Sequence, residues 1–489
     1  MRARSALGAA AAAIAVAALP AAAQAVSWNR EVKSVPGLRI PRVWVTVNDQ
    51  DKAPGFMFLT PRAKLGQSTG PTILNADGKV VWFHRLSPRR TASGLQPQIY
   101  RGKPVLVWGQ RPPLVHEGDS YRGAPHTVYN VIADTSYRII ARIRARGHGV
   151  RTDLHEFRIS KRDTALVLGW RVVDRDLRRY GGTRHSAVLD NVVQEIDIRT
   201  GRVLLNFSAA RRISPRQSYV RPPKDAGAWD AYHVNSITED TDGNLLLTSR
   251  HMSAVYKIDR RTGRVMWKLG GRGGDFKLSN AARFYYPHDA QRAPDGTITI
   301  LDNHAGPVTL NHASRALRLR VNTRRHTVSL ARSFPHPAGN VSSTSQGNVN
   351  QLANGDVFVG WGISPWFSEY AADGRILFAA HFKNAWSQSY RAFKADWHAT
   401  PTGAPAIYAR VTKGNVAAYV SWNGATEVAS WRLLGGPDQN NLTTLVETPW
   451  ADFETKLSAA ATPAFVKAQA LDANGNVLGE SAPVAPNTT

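Results

Sequence analysis

The chain of 489 residues contains no cysteine, which excludes a disulfide framework, a lipid-modified N-terminal Cys and any thiolate metal site. Stability must therefore come from packing alone. Acidic residues are scarce, with 36 Asp+Glu against 62 Lys+Arg and a formal net charge of +26. Such a surface attracts anionic small substrates, acidic cell-envelope polymers or nucleic acid. The charges are scattered, however, and no nucleic-acid-binding module is visible, so no nucleic-acid partner is expected. After the first 25 residues no run approaches the roughly 18 apolar residues of a membrane span, and no transmembrane segment is expected. Helical periodicity is also nearly absent.

What is present starts with MRARSALGAAAAAIAVAALPAAAQA, in which Arg2 and Arg4 precede an apolar run and Ala23-Gln24-Ala25 forms a small-residue cleavage site. That is the pattern of a secretory signal peptide over residues 1–25. The mature protein is then expected outside the cell or on its envelope. Beyond it, short Val/Ile/Leu/Phe/Tyr/Trp runs recur around Asp77-Gly78, Thr200-Gly201, Asp242-Gly243, Thr262-Gly263, Asp295-Gly296, Asn354-Gly355 and Asp373-Gly374. Regular short strands with this turn chemistry predict an all-β repeat architecture.

Pairing the hairpins gives six four-stranded units near residues 55–86, 97–145, 153–208, 231–270, 286–333 and 346–383. Six such sheets arranged radially make a six-bladed β-propeller with its first strands lining a central channel. The leading segment Val26 to Pro54, with PRVWVTV, supplies either a closing strand or an edge extension. We place the propeller at 26–398. Residues 399–489, with AAYVSWNG, EVASWRLL, PAFVKAQALD and NVLGESAPV, fit a small fibronectin- or immunoglobulin-like β-sandwich of accessory role.

The stretch WDAYHVNSITEDTDGNLLLTSRH, Trp229 to His251, organises the rest. It predicts a hairpin around Asp242-Gly243. A two-residue loop pairs Thr241 with Asn244 and sets Arg250 opposite Asn235; a four-residue loop centred one position earlier sets Arg250 opposite His233. Either register leaves His233, Asn235 and Arg250 on one face, whereas an odd-length loop splits them. An imidazole, an amide and a guanidinium side by side make a poor core and a good anion site. His155, His233, His288 and Asn348 each lie on the first strand of a unit, ahead of its turn, so four units aim a polar side chain at one funnel.

HVNSITEDTDGNLLLTSRHMSAVYKID, with DLHEF, PHDA and DNH, resembles the bacterial arylsulfotransferase family over about residues 40 to 395, and SWNGATEVASW with ALDANGNVLGES resembles the sandwich that follows in secreted relatives. The resemblance implies a six-bladed propeller that moves a sulfuryl group from an aryl sulfate donor to a phenolic acceptor, with no nucleotide donor and no cofactor. By motif, His288 in YYPHDAQ matches the transiently sulfated nucleophile, and His155, His233, Asn235 and Arg250 match residues that hold and polarise the sulfate. Asn348, Asn303, His304 and Tyr286 complete the candidate set as substrate-binding residues, with His304 either lining the rim or capping a loop. The proton for the leaving phenolate falls to His155 or His233.

Three histidines facing one channel also suit a metal, but no metal is expected, because no carboxylate occupies the same repeat slot and Arg250 repels a cation. His251 is expected on the opposite face from Arg250. IDIRTGRVLLNF and IDRRTGRVMWKLGG suggest a quinoprotein-like alternative, which the missing cysteines weaken. Surface aromatics and the appended module are compatible with a non-catalytic propeller that binds carbohydrate or an anionic envelope surface.

Overall fold

The computed structural model describes residues 29–62, 69–87, 90–111, 128–224, 227–306, 312–382 and 388–488. The leader, residues 1–25, lies outside them. The described chain is all-β. Its Asp-Gly pairs reverse it as the sequence requires: Gly78, Gly243 and Gly296 all sit at φ 79°, a left-handed conformation that a Cβ would oppose. Preceding aspartates brace two of these turns, as Asp242 Oδ1 accepts the Asn244 N–H and Asp295 Oδ1 that of Thr297, each at 3.1 Å.

Six sheets of four or five strands follow one another. The first begins with Thr91–Tyr100 and Lys103–Arg111; the second with Arg151–Ile159 and Thr164–Arg175; the third with Val234–Glu239 and Leu245–Ser249. The fourth begins with His288–Arg292 and Ile298–Asp302, and the fifth with Asn348–Gln351 and Val357–Gly360. The sixth joins the two ends of this region, Gln388–Ala395 pairing with Phe56–Arg62, then Thr72–Leu74 and Val80–Phe83. The first strand of each sheet packs against that of the next, and that of the sixth against that of the first. Apolar side chains fill the spaces between neighbours, for example Leu166, Leu168 and Val193 against Ile237, Leu245 and Leu247.

One expectation changes, and one open alternative is resolved. The unit at 55–86 is not self-contained, because its first strand is Gln388–Ala395, more than 300 residues away in sequence. The segment before Pro54 supplies an edge extension, Trp44–Asn48, to the fifth sheet. Past residue 399 two four-stranded sheets share a separate apolar core of Val416, Ala418, Leu433, Leu457 and Val466. They hold the sixth sheet through Asn423, whose side-chain oxygen accepts the Phe83 N–H at 2.9 Å and whose amide donates to the Phe83 carbonyl at 3.0 Å.

At the centre, Arg391 of the sixth sheet is fully buried. Its Nη1 meets Glu156 Oε2 of the second sheet at 2.6 Å and Asp289 Oδ1 of the fourth at 3.1 Å, and its Nη2 donates to the Asn235 carbonyl of the third at 3.0 Å. Arg158 flanks both acids at 3.3 and 3.5 Å. Burial alone lowers the proton affinity of Arg391, but Asp289 and Glu156 more than reverse this and fix its charge. Removing one partner of such a network leaves buried charge without compensation. Arg391→Met should therefore lower stability by about 3–5 kcal/mol, read as a drop in the urea midpoint of tryptophan fluorescence. The loss should be much smaller when Glu156→Gln and Asp289→Asn are already present; an equal loss in both backgrounds would assign the effect to packing instead.

Candidate active site

The third-sheet hairpin carries the first part of the site. Glu239 pairs with Leu245, and the Asp240 N–H bonds to the Asn244 carbonyl, so the loop is the odd-length Thr241-Asp242-Gly243. Neither expected loop is present. A register shift between Val234 and Ser236 absorbs the extra residue as a bulge at Asn235. The Arg250 N–H consequently bonds to the His233 carbonyl at 3.0 Å, the second of the two expected pairings. His233 itself stands at φ 48°, held by its N–H to Asp230 Oδ1 at 3.1 Å.

The three histidines meet. The His155 and His233 rings lie 5.1 Å apart between centroids in an edge contact, and both their charges and that of Arg250 act on His288. His288 is almost completely buried. Its Nδ1–H donates to Asn303 Oδ1 at 2.6 Å; the direction follows because Asn303 Nδ2 is spent on the Ser343 and Gln346 carbonyls at 2.8 and 3.0 Å. Nε2 is then the lone-pair nitrogen, and it accepts the Gln346 N–H at 3.1 Å. Burial, reinforced by the Arg250 charge and then by the two other imidazoles, holds His288 well below its ordinary range. It is a neutral imidazole at physiological pH.

His155 and His233 differ from His288 in what stands behind them. His155 Nδ1 lies 2.5 Å from Asp153 Oδ1, and His233 Nδ1 lies 2.6 Å from Asp230 Oδ2. Both rings are half-buried at the mouth. Burial lowers His233 despite the raising effect of Asp230. Asp153 is held below the ordinary carboxylate value: burial would raise it, but the His155 imidazole outweighs that.

Carboxylates therefore sit beside two of the histidines, from positions outside the repeat slot that the sequence reading considered. Their signal was in the sequence as Asp-x-His in DLHEF and Asp-x-x-His in DAYH. His251 is also misplaced by strand alternation, because Leu245–Ser249 ends before it. Its ring lies 4.6 Å from that of His233, its Nδ1–H donates to the Asp230 carbonyl at 2.6 Å, and its Nε2 accepts from Arg250 Nη1 at 2.9 Å. Burial pushes it down to about 3. Asp230, His233 and His251 bring potential metal-ligand atoms within 4.8 Å of one another. Both His251 nitrogens and His233 Nδ1 already have protein partners, however, and a guanidinium is one of them.

The remaining candidates separate into four groups. Arg250 lies over the buried Tyr286 ring at 4.8 Å and donates through Nη2 to the Thr344 carbonyl at 3.1 Å. Asn303 is a positioning group on the far nitrogen of His288 rather than a surface that meets a ligand. Asn235 and Asn348 are completely buried. Asn235 Nδ2 donates to the Pro287 carbonyl at 2.9 Å, and the Asn348 amide exchanges two bonds with the Ala392 backbone at 2.7 and 2.9 Å. They latch each first strand to its neighbour. His304 stacks between His312 and Tyr285, at 4.6 and 5.8 Å, at the rim. Of the other aromatics, Tyr232, Phe284 and Trp361 are core residues.

A family model described as Arylsulfotransferase (ASST) matches residues 127–383, a span that contains every member of the histidine cluster. No curated protein shows significant similarity to the chain. Among solved structures, a protein of unknown function from Bacteroides caccae is 14% identical, with 70% of this chain and 99% of that one covered at a TM-score of 0.43. The periplasmic gluconolactonase of Pseudomonas aeruginosa is 13% identical, with 89% and 97% covered at 0.37. A virginiamycin B lyase from Staphylococcus aureus is 10% identical, with 78% and 96% covered at 0.34. At these scores they are distant likenesses only. The family match covers just over half of the residues, and the chain belongs to the arylsulfotransferase (ASST) family.

Proposed function

We propose that the protein is an exported enzyme that transfers a sulfuryl group from an aryl sulfate to a phenol through a sulfated His288. In this reading the six sheets are the blades of a propeller, residues 26–398, and the two C-terminal sheets are a sandwich, residues 399–489. The signal-peptide pattern at the N terminus supports export. The observation that carries the chemistry is the contrast between one buried histidine whose Nε2 lone pair meets only a backbone N–H and whose Nδ1 is backed by a neutral amide, and two half-buried histidines backed by carboxylates.

The sulfate ester enters with its three oxygens toward Arg250, whose two-donor fork suits an oxyanion. His288 Nε2 gives up the Gln346 N–H and attacks sulfur in line. The S–N bond forms as the S–O bond to the aryl group breaks, and the electron pair leaves on the phenolate. That oxygen takes a proton from the Nε2 side of the His155–His233 pair. In the second half-reaction the same group accepts the acceptor phenol's proton, and its oxygen displaces His288 from sulfur. Nδ1–H stays on Asn303 throughout, so the ring reverts to the same tautomer. The released Gln346 N–H adds a donor for the transferring oxygens, as at an oxyanion hole.

The direct test is incubation of the purified protein with p-nitrophenyl sulfate. Phenolate release should depend on a phenol acceptor, and mass spectrometry without acceptor should place one sulfo group on His288. His288→Ala should abolish both, and Arg250→Gln should lower kcat by about 10²–10³. Release by the His288→Ala variant at the parent rate would refute the covalent route.

The pH profile gives a separate check. Only neutral His288 attacks and the His155–His233 pair must supply a proton, so kcat/KM should rise with pH through the His288 titration and fall where the pair loses that proton. Because His288 titrates below its ordinary value of 6.5, that rise should lie below pH 6.5. Arg250→Gln removes a positive charge that lowers His288, so the acid limb should move to higher pH. A limb that stays in place while the rate falls would separate Arg250 from control of the nucleophile.

A further inference from the structure

Arg250 ends the second strand of the third sheet, beside the start of the first strand, and two other arginines occupy the same slot. Arg111 ends Lys103–Arg111 in the first sheet, opposite Thr91, and Arg62 ends Phe56–Arg62 in the sixth, opposite Gln388. All three ends face the rim on which His233 and His288 begin their sheets. In the cyclic order of first strands, the sixth and first sheets are neighbours and lie across from the third.

Arg62 and Arg111, both half-buried, lack the acid partners that Arg391 and Arg158 have. Among the described residues, Arg62 and Arg111 form no hydrogen bond or ion pair, and the Nε of each is buried without a partner. Their surroundings hold Tyr390, whose hydroxyl is also buried without a partner, and Asp153, whose Oδ2 is in the same condition. Asp153 is committed to His155 through Oδ1, so a single carboxylate already neutralising an imidazole faces two guanidiniums. Tyr390 links this corner to the histidines, its ring 5.6 Å from that of His155.

Burial and the charge of Arg62 push Arg111 down to about 9, and burial lowers Arg62 as well. Both remain charged at neutral pH. Two adjacent half-buried guanidiniums that share one carboxylate already committed to an imidazole are costly unless a further anion joins them. A buried donor without a partner calls for one, an ion among the possibilities.

We propose that Arg62 and Arg111, with the Tyr390 hydroxyl, form a second anion-binding subsite across the mouth from Arg250, and that the natural aryl substrate carries a second anionic group besides the sulfuryl that is transferred. The proposal rests on the reading of the histidine cluster as a sulfuryl-transfer centre. The Arg250 end takes the sulfuryl group, the aryl ring spans the mouth, and a carboxylate, sulfate or phosphate on that ring meets the Arg62–Arg111 pair. Tyr390 stays protonated, since burial raises it, and donates to the same group. Asp153 Oδ2, on the same wall, disfavours a ligand that reaches it without crossing the guanidiniums.

The subsite is tested by binding, which needs no turnover. Calorimetric titration with 4-sulfophenylacetate, an unreactive sulfonate carrying a carboxylate, is compared with benzenesulfonate. The doubly charged probe should bind about 10- to 100-fold tighter, the range expected for hydrogen bonds to charged groups. In Arg62→Gln and Arg111→Gln that ratio should fall towards one, while Arg62→Lys and Arg111→Lys should retain part of it; circular dichroism confirms that each variant is folded. Equal affinity for the two probes, or a ratio unmoved by the Gln variants, would overturn the subsite. A kinetic arm locates the charge: a carboxylated aryl sulfate against its methyl ester as donor, and 4-hydroxyphenylacetate against its methyl ester as acceptor. Preference in one arm assigns the second anion to that substrate; preference in neither counts against the subsite. Tight dianion binding with no sulfo-His288 would remove the transferase reading alone, and sulfo-His288 with no preference would remove the subsite alone.

Discussion

The contact on which the centre depends is the buried guanidinium of Arg391. It reaches Glu156, Asp289 and the Asn235 carbonyl, so four sheets converge on one side chain. Desolvating three charges offsets much of their attraction, and a network of this type contributes little net stability. Its effect is geometric. Each acid directly follows a histidine in sequence, His155-Glu156 and His288-Asp289, and successive residues of a strand point to opposite sides. Fixing the acids inward on Arg391 fixes the rings beside them, His155 half-buried and His288 almost completely buried. The register shifts at both places, between Asp153 and Phe157 and between His288 and Gln291, show where the backbone yields to let both residues of a pair reach their positions.

Backbone strain gathers at the same place. His233, Tyr286, Asp289, His304 and Gln346 are non-glycine residues at φ between 48° and 68°. Such conformations cost about 1–3 kcal/mol each and persist only where surrounding bonds over-determine them. Those bonds are present: the His233 N–H is held by Asp230, the Tyr286 N–H by Ser253 Oγ at 3.2 Å, and the Gln346 carbonyl by Asn303. The inter-sheet latches of Asn235 and Asn348 have the same consequence at longer range. The strained residues are therefore positioned by a rigid frame, which suits a reaction whose groups must align on one sulfur atom.

Much of this was legible in the chain because turn chemistry is local. Asp-Gly and Asn-Gly pairs announce reversals, and the strands between them follow. The meeting of His155, His233 and His288 was also readable, since the repeat puts them at equivalent positions. What escaped was non-local or hidden in short spacing. The pairing of Gln388–Ala395 with Phe56–Arg62 leaves no mark on either segment. The bulge at Asn235 rescued a register that an odd loop would have split, and a bulge needs no distinctive residue type. Asn235 and Asn348 looked like ligand donors because an amide serves equally well as a latch; only burial separates the two. Asp153 and Asp230 were overlooked because they stand before their histidines rather than in the repeat slot itself.

The three imidazoles are chemically alike and become different only through their partners. A carboxylate on Nδ1 stabilises an imidazolium, which suits a group that must hold and release a proton. A neutral amide on Nδ1 fixes the tautomer without that stabilisation, which suits a group that must keep its lone pair. His288 has Asn303, while His155 and His233 have Asp153 and Asp230. Arg250 sharpens the contrast by adding positive charge beside the buried member. An exchange of roles would require His288 to carry a proton in the driest position of the three, next to a guanidinium and without an anion. Electrostatics opposes that arrangement, so under the proposed transfer the residues behind the rings assign attack to His288 and proton transfer to the His155–His233 pair.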